Sequence, residues 1–157
     1  MDIMKAALIA EIVGAIAVVV SLVYLAIQIR IQNNESRIAA MHDISVGYRD
    51  SLANFAFPDQ AALFNKAIDD YDSLTHTESI QLIAILGRIF RVWEEAFMQH
   101  QTGRLDERVW QSMLRQFQGY MAVVPYQKVW DLRRDYFDPE FSAFVDSLGK
   151  NASYRFQ

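Results

Sequence analysis

The sequence has no cysteine, which excludes disulfide staples, thiolate nucleophiles and cysteine-ligated metal centres. Proline (three residues) and glycine (six) are scarce, so breaks in regular structure are few. No Gly-rich phosphate loop, dinucleotide fingerprint or G-x-S-x-G nucleophile setting is present. Lysine is rare as well, at Lys5, Lys66, Lys128 and Lys150, and the net charge is −4. The arginines alternate with acids, as in Asp131-Leu132-Arg133-Arg134-Asp135, the pattern of a solvated helix face. That distribution lacks the concentrated basic surface that nucleic-acid phosphates require, so no nucleic-acid partner is expected. Alternation of Val, Ile and Thr at period two is missing too, which leaves strands without a home and predicts an all-α chain.

What the sequence does have is one long apolar run, residues 6–29, AALIAEIVGAIAVVVSLVYLAIQI, whose single charged group is Glu11. A helix rises about 1.5 Å per residue and a bilayer's hydrocarbon core is about 30 Å thick, so roughly 20 such residues span it. The run therefore reads as a transmembrane helix, residues 1–30, with the lipid bilayer as its partner. A cleaved secretory signal has an apolar core of about 7–15 residues. Ala15-Ile16-Ala17 could pose as its cleavage triplet, but the apolar residues continue well past it, so retention is expected. Lys5 precedes the run, whereas Arg30 and Arg37 follow it. The positive-inside bias then favours a cytoplasmic body, the exported arrangement being the alternative. No polybasic cluster follows the run, so recruitment by anionic lipid is not indicated.

Residues 31–157 are the size of one compact domain and hold nearly all the aromatic residues, so they are expected to form a folded helical domain. Apolar positions at Ile31, Ile38, Met41, Ile44, Tyr48, Leu52 and Phe55 recur mostly at three- and four-residue steps. They predict that the membrane helix continues as an extension over 31–57, with Asn33-Asn34 or Gly47 as places for a bend, and docks onto the body. Pro58-Asp59 ends it, and a short helix near 59–70 follows. Thr75-x-x-Glu78 is a capping-box signature, opening a helix with Ile80, Ile83, Leu86, Phe90, Trp93 and Phe97 inward and Gly103 as its stop. Asp106 caps the next helix, limited by Pro125. A helix near 126–136 carries Val129, Trp130 and Leu132. Asp138-Pro139 opens the last, with Phe141, Phe144, Val145 and Leu148 inward and Gly149 at its end.

Within the apolar run Ala7, Ala10, Gly14, Ala17 and Ser21 are spaced three and four apart, and Tyr24 and Gln28 continue the alternation. Lipid supplies little hydrophobic drive for helix pairing, so association relies on close backbone approach and polar contacts, which small residues at this spacing allow. The stripe predicts helix packing in a homo-oligomer or with a partner; its bland counterpart is the general abundance of alanine and glycine in membrane helices. Glu11 lies beside the stripe and, with Gln28, forms a candidate intramembrane polar site, since carboxyl groups at depth face a partner, a cavity or an ion path.

Chemistry finds little support. Glu94, Glu95 and His100 gather in one segment, but the histidine lies five and six residues from the acids, which matches neither the Glu-x-x-His nor the HExxH metal spacing. His42 and His76 have no spaced partners, and Asp69, Asp70 and Asp72 lack the glycine and glutamate of a calcium loop. The aromatic set from Phe90 to Phe144 sits at helical spacing and reads as core rather than as a ligand pocket. No catalytic residue, metal or cofactor is therefore expected, and the chain does not read as an enzyme.

The stretches E-I-V-G-A-I-A-V-V-V-S-L-V-Y-L-A-I-Q-I-R with Gln32-Asn33-Asn34, W-E-E-A-F-M-Q-H-Q-T-G-R-L-D with Trp110 downstream, and Asp138-Pro139-Glu140-Phe141 resemble a set of uncharacterised small bacterial membrane proteins. In these, one such helix precedes a helical domain. The resemblance implies a single-pass inner-membrane topology and a cytoplasmic helical body; it carries no reaction and no catalytic residue. The expected role is homo-oligomeric assembly or protein interaction. The alternative is a small oligomeric ion channel with Glu11, Ser21 and Gln28 facing the axis.

Overall fold

A computed structural model describes residues 3–148. Six α-helices follow one another and no strand occurs among the described residues. They are α1 (Ile3–Ala53), α2 (Pro58–Asp69), α3 (His76–Gln101), α4 (Glu107–Met121), α5 (Val124–Arg133) and α6 (Pro139–Ser147), with short 3-10 turns after α1, α2 and α5. The chain divides into two compact units, Met1–Ala39 and Ala40–Gln157.

In the first unit α1 is helical without interruption through Asn33-Asn34, and it remains so through Gly47 in the second. No apolar side chain of the membrane-length window is buried within the chain. Along α1 Ile31 and Ile38 are exposed in the first unit, at 45% and 60%, and Met41 is exposed in the second. Burial begins with Ala40 and Ile44, where α1 belongs to the second unit.

The second unit is a helical bundle around α3. Thr75 accepts the Glu78 amide while the Glu78 carboxylate accepts the Thr75 amide at 2.7 Å, the reciprocal capping box. Leu86, Phe90 and Trp93 have no solvent exposure, and Phe97 is buried; Ile80, expected inward, is exposed. Gly103 ends the helix at φ +69°, where its amide donates to His100 and that of Arg104 to Gln99. This is a Schellman stop, and its left-handed residue is costly for any side chain with a Cβ. Gly47 lets α1 approach α3 closely, since a Cβ there would lie 3.2 Å from Val92 Cγ2.

Pro125 follows the end of α4, as expected, and also belongs to a helix itself. It sits in the first turn of α5, where the missing amide would have had no helical partner, so that helix starts earlier than expected and gives way to a 3-10 turn at Arg134–Tyr136. Leu132 accordingly faces solvent, at 60% exposure, while Tyr126, Val129 and Trp130 take the buried side. Asp138 caps α6 as expected by accepting the amides of Glu140 and Phe141, and Phe141 and Val145 are buried. The expected stop at Gly149 lies outside the described residues.

Candidate functional site

Two regions invite a functional reading, one in each unit. In the first, Ala7, Ala10, Gly14, Ala17 and Ser21 are all exposed on an unbroken helix, so their spacing of three and four places them along a single face. A Cβ built on Gly14 meets nothing within 4 Å. The Ser21 hydroxyl donates to the Ala17 carbonyl at 2.8 Å, which satisfies its proton inside its own helix. Glu11 is exposed beside the stripe, and Gln28 is half-buried.

The acidic segment of α3 is divided among structural contacts. Glu94 accepts from Arg91 at 2.6 Å and from the Asp138 amide at 2.7 Å, joining α3 to the start of α6. Glu95 accepts from Gln99. His100 stacks on Trp110, with ring centroids 4.4 Å apart. No group of three or more His, Asp or Glu among the described residues is arranged to hold a metal ion. Of the aromatic positions read as core, Phe90, Trp93, Phe97, Trp110, Phe117, Trp130 and Phe141 are buried, and Phe137 and Phe144 pack half-buried against them.

An apolar pocket lies elsewhere. The C-terminal end of α1, α2 and the corner between α4 and α5 border an open cavity of about 840 Å³. Its walls are Leu52 and Phe55, Phe64 and Ile68, and Val123 and Val124, with Tyr120, Tyr126 and Asn65 as the polar residues of the lining. No Asp, Glu, Lys, Arg or His lines it. A helix junction produces it because Ala61 and Ala122 are too small to fill the space between the larger side chains.

Behind the cavity the rings of Trp93, Tyr120 and Tyr126 lie nearly parallel, with the two tyrosine centroids 5.0 Å apart. The Tyr120 hydroxyl is 2.7 Å from that of Tyr48. Tyr126 is 1% exposed. Burial pushes the Tyr126 hydroxyl well above the usual phenol range, and the neighbouring hydroxyls of Tyr120 and Tyr48 push the same way. Burial followed by the bond to Tyr120 raises Tyr48 likewise. Both therefore stay protonated at neutral pH and act as neutral hydrogen-bonding groups.

Sequence reasoning missed this cavity. The one signal for it was Tyr126 at a buried α5 position, three and four residues before Val129 and Trp130, since a buried phenol needs a partner for its hydroxyl. Comparison of the chain with known protein families, with curated proteins and with solved structures gave no match.

Proposed function

We propose that this chain is a membrane-anchored assembly or interaction protein of the bacterial inner membrane. Residues 6–29 of α1 cross the bilayer once. The stripe Ala7, Ala10, Gly14, Ala17 and Ser21 packs against copies of the same helix or a partner, and the helical body lies on the cytoplasmic side. The observation that carries this reading is the exposure of the apolar window: its mean hydropathy is 2.6 and none of it is covered by the rest of the chain. A soluble monomer rarely leaves a contiguous apolar patch above a few hundred Å² in water, whereas lipid covers such a surface without cost.

Close packing is supported by the small residues and by the open space at Gly14, and orientation by Arg30 and Arg37 against Lys5. Glu11 then hydrogen-bonds across the helix contact. The channel reading has less support, because the Ser21 hydroxyl is already satisfied by Ala17 and has no need of a water-filled axis.

Gly14→Leu tests the assembly. A Cβ added at this position has open space around it within 4 Å, so a loss of association reports a neighbouring helix. Native mass measurement in mild detergent should show the oligomer shifting toward monomer while the thermal transition of the body is unchanged. Unchanged cross-linking of the variant would defeat the reading.

A further inference from the structure

We propose that the helical body binds a neutral, largely apolar small molecule through one oxygen acceptor, a ketone or ester carbonyl, in the cavity beside Tyr126. The inference goes beyond the anchor reading and does not rest on it, because every wall residue belongs to the Ala40–Gln157 unit.

Three observations converge on that chemistry. The pocket, open on one side, has a volume of about 840 Å³, within the range of sites that hold a small molecule. Phe55, Phe64, Ile68 and Val124 supply an apolar wall, and no charged side chain stands on it. A carboxylate, phosphate or ammonium would be stripped of water there with no counter-charge, so the ligand is neutral. Tyr126 is then the polar group that fixes orientation. It is almost completely buried and lines the cavity. A protonated phenol donates, so its complement is an accepting oxygen, and the Tyr120 hydroxyl, held by Tyr48, stands next to it.

The test uses the full chain in bilayer nanodiscs with three photoreactive probes of equal length, each carrying a diazirine: an aliphatic methyl ketone, the matching alkane and the matching carboxylate. Peptide mapping by mass spectrometry locates the label. The ketone should label the segments holding Phe55, Phe64 and Ile68 saturably, and excess unlabelled ketone should compete it away. Tyr126→Phe, which keeps the ring, should weaken that competition about three- to tenfold for the ketone and leave the alkane unaffected. Ala61→Trp should fill the cavity and abolish saturable labelling; if that variant loses its fold, the Tyr126→Phe comparison decides. Labelling confined to residues 6–29, labelling that does not saturate, or a ketone response untouched by Tyr126→Phe would overturn the proposal. Competition by the carboxylate as strong as by the ketone would overturn it too. So would a cross-link from a second copy seated on these residues, which would make the occupant a protein.

Discussion

The hydroxyls of Tyr48 and Tyr120, separated by 72 positions in sequence, meet at 2.7 Å and join the last turns of α1 to α4. Tyr120 also lines the cavity. Tyr48→Phe and Tyr120→Phe should each destabilise the body by about 1 kcal/mol, and the double variant by less than the sum, because either change alone removes the same bond. Denaturant unfolding of the four proteins in the cycle measures the coupling. Full additivity would mean that the two hydroxyls do not interact.

Stability should fall at both ends of the pH scale for different reasons. The Lys66 ammonium beside the Glu78 carboxylate, 2.8 Å away, and then the Thr75 amide, hold the Glu78 carboxyl well below the usual carboxylate range, at about 2. A depressed carboxyl stabilises the fold above its unfolded pKa, so this contribution is present above about pH 4.5 and is lost as pH falls toward 2. Thermal melts across that window should flatten in Glu78→Gln. Tyr48 and Tyr126 have raised values, so their contribution is present below pH 10 and is lost above it. In a spectrophotometric titration, the share of tyrosinate absorbance belonging to these two residues should appear only together with unfolding.

Two glycines should respond oppositely to the anchor. Gly103→Ala forces a Cβ into a left-handed stop and should cost about 1–2 kcal/mol. Gly47→Leu drives a side chain into Val92, whose branched Cβ leaves it little room to turn, and should cost about 1–3 kcal/mol. Gly14→Leu should change neither the melting temperature nor the denaturant midpoint of the body. Calorimetry of the three variants separates these outcomes.

The features readable in the sequence were the local ones. Thr75 and Glu78 satisfy each other across a single helical turn, and Asp138 caps the helix that Pro139 opens, so four adjacent letters were enough for each. The inward spacing of Leu86, Phe90, Trp93 and Phe97 was equally visible, because one helix face repeats along the chain. The helix capped by Asp106 does end before Pro125, but the next helix already includes that proline, because a proline that follows one helix can also open the next. Ile31 and Ile38 continue the apolar spacing yet stay exposed, since periodicity identifies a face without saying how far the packing reaches. The cavity was invisible for a further reason. Its walls come from separate stretches around Leu52, Phe64, Tyr120 and Tyr126, and a gap between helices leaves no mark on any one of them.

The central claim is that residues 6–29 lie in lipid, and the absence of cysteine makes it directly measurable. A bimane fluorophore attached to Val19→Cys in the full chain, reconstituted in vesicles, can be exposed to lipids with brominated acyl chains and, separately, to aqueous iodide. Val19 is exposed on the helix surface, so the label is in contact with whatever surrounds α1. Strong quenching by the brominated chains with protection from iodide is the expected result; quenching by iodide without quenching by the brominated lipid would contradict the account.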